Sequence, residues 1–202
     1  MIVFEWLACF LALAASATIF LRLHKARRLV QLAAAAICLA IPLIPIDGLN
    51  VSQYFLTLVG HLSLTSMCLL AAAVIRALSG RGLFKSGEKQ SILAGVAASG
   101  ILLYSAAFGV LTFDIYQLGY GSLGMVIVLT ALTIFSALFG RSVTFAALVS
   151  AAIAFQFHLL ASNNLWDYLV DPLLVIYAAS SLVIAAMRLF ILPRRRTIGE
   201  NQ

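Results

Sequence analysis

A stripe of polar side chains runs through an apolar stretch near residue 60 and is the clearest candidate for chemistry. Its members recur every three or four residues, at Gln53, Thr57, His61, Thr65 and Cys68. On one continuous helix this spacing places them on a single face. An imidazole with neighbouring hydroxyls inside a membrane can carry a proton or bind an ion or substrate. The alternative is a structural role, in which these side chains form hydrogen bonds between packed helices.

A second histidine, His158, follows a run of small residues. Ala147, Ala151 and Ala154 recur at helical spacing and predict a face that allows a neighbouring helix to approach closely. An imidazole at the outer end of that helix can also simply reach water. His61 and His158 both fall in the outer half of the predicted bundle, and the sequence leaves open whether they meet.

The segment 163–172 is both acidic and aromatic. Trp166 and Tyr168 are typical of an interfacial aromatic belt, and Asp171 before Pro172 is typical of a helix N-cap. The functional alternative is an acidic external mouth that attracts a cation, an amine or a basic partner. Across the chain, the candidate binding residues are His61, Thr57, Thr65, His158, Asp114, Trp166, Asp167 and Asp171.

The amino-acid composition indicates whether water or lipid surrounds the chain. Of 202 residues, 63% are hydrophobic and only 10% are charged, whereas a soluble domain carries about 25% charged residues. The sequence therefore predicts an all-α, polytopic transmembrane bundle that forms a single domain. Runs of about 20 apolar residues are long enough to cross a bilayer. We predict seven spans, at 2–23, 29–43, 52–77, 91–111, 121–139, 143–160 and 172–190, followed by a short basic tail over 191–202.

The charges predict how these spans are oriented. When the connections are assigned alternately to two sides, all 13 Lys and Arg residues fall on one side. The positive-inside rule makes that side the cytoplasm, with the N-terminus outside and the C-terminus inside. Five of the seven acids fall on the opposite side: Glu5, Asp47, Asp114, Asp167 and Asp171. This asymmetry favours a bacterial inner membrane.

The net charge of +6 does not indicate nucleic-acid binding. The basic residues flank apolar runs, where they act as orientation determinants, and anionic lipid headgroups are their expected counter-charge.

Several classes of membrane protein are disfavoured by the residues present. A retinal protein needs a lysine in its last span, but Lys25, Lys85 and Lys89 all lie in cytoplasmic connections. A rhomboid-type serine protease has the pattern Gly-x-Ser-Gly, whereas segment 121–124 reads Gly-Ser-Leu-Gly. The three cysteines form no CxxC pair. We therefore predict no catalytic residues, no metal site and no cofactor.

Two functional hypotheses remain. The first is a non-catalytic subunit or scaffold of an envelope complex, with membrane lipids and either a second copy or another membrane protein as partners. The second is a small transporter, channel or lipid-handling protein with a polar site in the outer half of the bundle. The short connections favour the first hypothesis, and the stripe through His61 with the acidic mouth favours the second.

Overall fold

The chain is described by a computed structural model that covers residues 2–191. Within this range the structure is mainly helical, as predicted for an all-α protein, and the two short strands form a small antiparallel hairpin. The predicted basic tail lies outside the described residues beyond Ile191. In chain order the elements are α1 (Ile2–Phe20), α2 (Arg28–Ala40), β1 (Pro45–Ile46), β2 (Leu49–Asn50), α3 (Val51–Val59), α4 (Leu64–Ser79), α5 (Glu88–Ala107), α6 (Leu123–Leu138), α7 (Ser142–Gln156), α8 (Leu165–Leu169) and α9 (Pro172–Ile191).

Two of these helices, α1 and α5, are long and apolar enough to cross a membrane. A third span is counted if α3 and α4 are taken together as one broken span. Four shorter apolar helices occupy the remaining predicted spans, over Arg28–Leu43, Leu123–Leu138, Ser142–Gln156 and Pro172–Arg188. The helical architecture is thus confirmed, and the seven-span topology stays a prediction.

Helix α4 lies at the centre of the bundle. It packs against α1 on one side and α7 on another, while α6 packs on α7 and α2 packs on α1. Two apolar clusters meet along α4, one through Met67 and the other through Ala72. The small residues predicted on α7 are buried, at 4% exposure or less. The Cys68 sulfur lies 3.7 Å from the Ser150 hydroxyl, which places α4 and α7 in close contact.

The closest approach between α5 and α9 depends on Gly100. A Cβ atom at this position would come within 2.5 Å of a Val175 methyl group, which is far inside van der Waals contact. Buried Ala97 and Ala178 belong to the same apolar cluster. Small residues therefore allow these two helices to pack closely.

The predicted continuous helix over 52–77 is wrong, because the helix breaks between Val59 and Leu64. The axes of α3 and α4 differ by 118°. Gly60 adopts φ +79° and ψ −176°, a conformation that is essentially restricted to glycine. Ser63 then starts the new helix, since its hydroxyl accepts a hydrogen bond from Ser66 N at 3.2 Å.

A buried carboxylate links two helices at the other end of the bundle. Glu88, the first residue of α5, is 0% exposed. Its Oε1 accepts hydrogen bonds from Thr144 N at 2.9 Å and from the Thr144 hydroxyl at 3.0 Å, and its Oε2 accepts one from Lys85 N at 2.8 Å. Lys85 in turn donates from Nζ to the Phe139 carbonyl at the end of α6. The Glu88 carboxylate thus lies at the starts of α5 and α7, and the Lys85 ammonium group lies at the end of α6, as helix dipoles favour.

The substitution Gly60→Ala should destabilise the fold, because alanine has no favourable conformation at the observed φ and ψ. The expected cost is about 1–3 kcal/mol. A Cβ at Gly60 would meet no atom within 4 Å, so backbone strain alone produces the loss. Thermal unfolding in a single detergent, followed by tryptophan fluorescence, measures it.

Gly124→Ala is the matched control. Its Cβ would also meet no atom within 4 Å, and its φ is not positive. Alanine is the better helix former by about 1 kcal/mol, so this change in the first turn of α6 should leave the melting temperature unchanged or raise it. Equal melting temperatures for the two variants would contradict the strained break at Gly60.

Candidate functional site

The carboxylate of Asp171 joins the beginnings of two helices. Oδ2 accepts hydrogen bonds from Ser63 N at 3.0 Å, from the Ser63 hydroxyl at 2.7 Å and from the Ser66 hydroxyl. Oδ1 accepts a hydrogen bond from Leu174 N at 2.9 Å. The predicted N-cap of α9 is therefore confirmed, and the same side chain also caps α4. Asp171 is 4% exposed, so these protein donors supply most of the hydrogen bonds to its carboxyl group.

The two loops that flank this carboxylate are fastened to each other. Asn164, which is fully buried, donates from Nδ2 to the Tyr116 carbonyl at 2.8 Å and accepts a hydrogen bond from Trp166 N at 2.9 Å. The indole Nε1 of Trp166 donates to the Ile115 carbonyl at 3.1 Å. The loops before α6 and before α9 therefore form one unit.

Asp167 is held by two hydroxyl groups. Its Oδ2 accepts hydrogen bonds from the Tyr116 hydroxyl at 2.8 Å and from the Ser162 hydroxyl. Burial, together with the hydrogen bond to this carboxylate, raises the pKa of Tyr116 to about 12. The phenol is therefore a neutral hydrogen-bond donor at physiological pH.

Four of the predicted binding residues line one cavity of about 410 Å³: Asp114, Trp166, Asp167 and Asp171. Tyr104 and Tyr116 complete its polar and aromatic wall, and Gly100, Leu103 and Ala107 form its apolar side. We call this space the outer cavity. Carboxylates beside aromatic faces are a chemistry that suits a small organic cation, through charge attraction and cation–π contact.

The other four predicted residues lie elsewhere. Thr65 is buried and lines an apolar cleft of about 330 Å³ between α5, α6 and α7. Thr57 is exposed on α3, and its hydroxyl donates to the Gln53 carbonyl at 2.9 Å. His61 is exposed within the break, and His158 is exposed just after α7 with φ +49°.

The polar stripe is therefore not a shared helix face. Thr57 and Thr65 belong to different helices, and His61 lies on neither. Gln53 has a local role, since its Oε1 accepts a hydrogen bond from Asn50 N and completes a capping box at the start of α3. Four-residue spacing predicts a common face only where the helix is unbroken.

Tyr168 also differs from its expected position in an interfacial aromatic belt. It is 0% exposed, and its hydroxyl bonds within its own loop, accepting from Leu160 N and donating to the Ser162 carbonyl. The ring packs edge-on against Phe155 with centroids 5.5 Å apart. Tyr168 is thus part of the core beneath the loop.

Six residues that the structure brings into this site were not among the predicted ones: Ser63, Ser66, Tyr104, Tyr116, Ser162 and Asn164. Ser63 three residues before Ser66 is typical of an N-cap, and Asn164 two residues before Trp166 is typical of a capping turn. These local signals can be read in the sequence. The sequence does not show that Ser63 and Ser66 bind Asp171, or that Asn164 binds Tyr116.

Within residues 2–191, no group of three His, Cys, Asp or Glu side chains is placed to hold a metal ion. No protein-family model, curated protein or solved structure matches this chain.

Replacing Asp171 should lower the stability of the protein, and the loss should increase with the number of carboxylate oxygens removed. Asp171→Ala removes the cap of both α4 and α9, at about 1 kcal/mol for each cap, which lowers the melting temperature by roughly 4–8 °C in a chain of this size. Asp171→Asn keeps one acceptor oxygen and should lose less. Melting temperatures in one detergent give the order of the variants.

Asp114→Ala is the control, because Asp114 is exposed and caps only a short turn through Tyr116 N. Its effect should stay within about 0.5 kcal/mol. If Asp171→Ala melts at the same temperature as Asp114→Ala, the double cap does not contribute to stability.

Proposed function

We propose that this chain is a multi-pass protein of a bacterial inner membrane that acts as a non-catalytic subunit or scaffold of a membrane complex. The observation that carries the proposal is the structural role of two buried carboxylates. Asp171 and Glu88 each accept hydrogen bonds from donors at the starts of two helices. Carboxylates with these partners hold helices together, which is a structural role and needs no substrate.

The outer surface of the bundle supports the same proposal. Large apolar side chains are exposed along α2 and α6, including Leu32, Ile37, Ile127 and Leu132. Contiguous apolar surface of this kind indicates contact with lipid or with another membrane protein. In this proposal the seven helical segments cross the membrane in alternating directions, with the basic connections in the cytoplasm.

The subunit proposal predicts a defined assembly. Native mass spectrometry of the protein extracted in several mild detergents should give one recurring mass, of either a homo-oligomer or a stoichiometric complex with a second membrane protein. Cross-linking in intact membranes before extraction is the control for detergent-induced dissociation. A monomer under every detergent, with no cross-linked product from membranes, contradicts the proposal.

A second candidate function is recognition of a small organic cation, as in a transporter, channel or receptor. The observation that favours it is the outer cavity, where Asp114 and Asp167 face Tyr104 and Trp166. These groups offer negative charge and aromatic faces, the combination that recognises ammonium groups.

Tetramethylammonium tests this second candidate. In a Trp6→Phe background, Trp166 is the remaining tryptophan and its fluorescence should change saturably with the added cation. Asp114→Asn removes a charge from the cavity wall and should weaken binding severalfold. Asp47→Asn removes the same charge from the exposed hairpin outside the cavity and should leave binding unchanged. Equal binding by both variants, or no saturable change, contradicts a cation site.

A further inference from the structure

A second, larger cavity forms a groove beside α4. It has a volume of about 1140 Å³ and lies between α1, α4 and α9. Most of its wall is apolar, with Ala12, Leu62, Leu69 and Leu174 among the lining residues. We call it the α1–α9 groove.

The groove is long enough to hold an acyl chain. Its lining on α4 runs from Ser66 to Ser79, a stretch of about 20 Å at 1.5 Å per residue. One leaflet contributes about half of the roughly 30 Å hydrocarbon core of a bilayer. The groove is therefore long enough to span the depth of a single leaflet.

One end of the groove is cationic. Arg76 and Lys89 both line it there, together with Ser79 and Gly80 at the end of α4, and none of the lining residues that the structure describes is Asp or Glu. Lys89 Nζ lies 5.4 Å from the centre of the ring of Tyr177, which also lines the groove. Both cations belong to the side of the molecule that carries the basic connections.

We propose that the α1–α9 groove binds one anionic phospholipid of the cytoplasmic leaflet. The acyl chain lies along α4, and the phosphate is bound by Arg76 and Lys89. A lipid satisfies both properties of the groove, because it joins an apolar chain to a negative headgroup. Basic pockets between membrane helices on the cytoplasmic side recognise anionic headgroups in this way. A partner helix of purely apolar surface would leave the two cations without a counter-charge.

The test uses native mass spectrometry of the full chain in a mild detergent, with added phosphatidylglycerol or phosphatidylcholine of the same acyl chains. We expect one phosphatidylglycerol to be retained, and phosphatidylcholine to be retained about tenfold less. The double variant Arg76→Ala/Lys89→Ala should lose this preference. Arg81→Ala, a charge removed from the neighbouring exposed loop outside the groove, should keep it. Equal retention of the two lipids by the native chain overturns the proposal.

Two tryptophan variants that change side-chain size without changing charge test whether the lipid occupies the groove itself. Ala77→Trp fills the groove next to Arg76 without changing charge and should reduce phosphatidylglycerol binding. Ile75→Trp, on the same helix but outside the groove lining, should not. If Ala77→Trp leaves lipid binding intact, or dissociates an oligomer while lipid stays bound, the occupant of the groove is not this lipid.

The inference rests on the membrane orientation proposed above, and the two can fail separately. A monomer that retains phosphatidylglycerol in the expected pattern overturns the subunit role and supports the groove. A stable complex in which every variant binds lipid equally supports the subunit role and overturns the groove.

Discussion

A helix that begins inside a bundle has backbone N–H groups without partners in its first turn. A buried break in a helix therefore persists only where other groups replace the missing hydrogen-bond partners. At the start of α4 the Ser63 hydroxyl accepts a hydrogen bond from Ser66 N, and Asp171 Oδ2 holds this turn in place by accepting from Ser63 N and from the hydroxyls of Ser63 and Ser66. The break at Gly60, the central position of α4 and the start of α9 therefore depend on one side chain.

Electrostatics explains why one carboxylate can serve two helices. A helix N-terminus carries about half of a positive elementary charge, so two adjacent helix starts repel each other and together amount to about one positive charge. A single carboxylate balances them. The same arrangement recurs at the opposite end, where Glu88 serves the starts of α5 and α7. Each of these two buried acids thus joins the starts of two helices.

The sequence predicted those features that depend on local chemistry. Hydrophobic runs predicted the helices, and Asp171 before Pro172 predicted the N-cap of α9. The same kind of local evidence gave a wrong prediction at span three, where a polar residue at every fourth position was interpreted as one face of a continuous helix. Gly60 breaks the helix through a backbone conformation that the polar residue pattern does not reveal. The second partner of Asp171 lies 108 residues away, and no periodicity in a single sequence reports a contact of that range. The outer cavity was predicted only as a set of residues on one side, because its walls come from three separate segments.

Because Asp171 caps two helices, the three aspartates that line the outer cavity are not equivalent. Asp171 lines that cavity, and its hydrogen bonds come from the starts of two helices. Asp167 is held by the hydroxyls of Tyr116 and Ser162, and Asp114 is exposed and accepts one backbone hydrogen bond. In the proposed cation site, Asp114 and Asp167 are therefore the carboxylates that hold no pair of helices together, whereas Asp171 joins the cavity wall to the core. The three aspartates of the cavity thus divide into one structural residue and two that are available to the proposed ligand, a division that follows from their hydrogen-bond partners and not from their residue type.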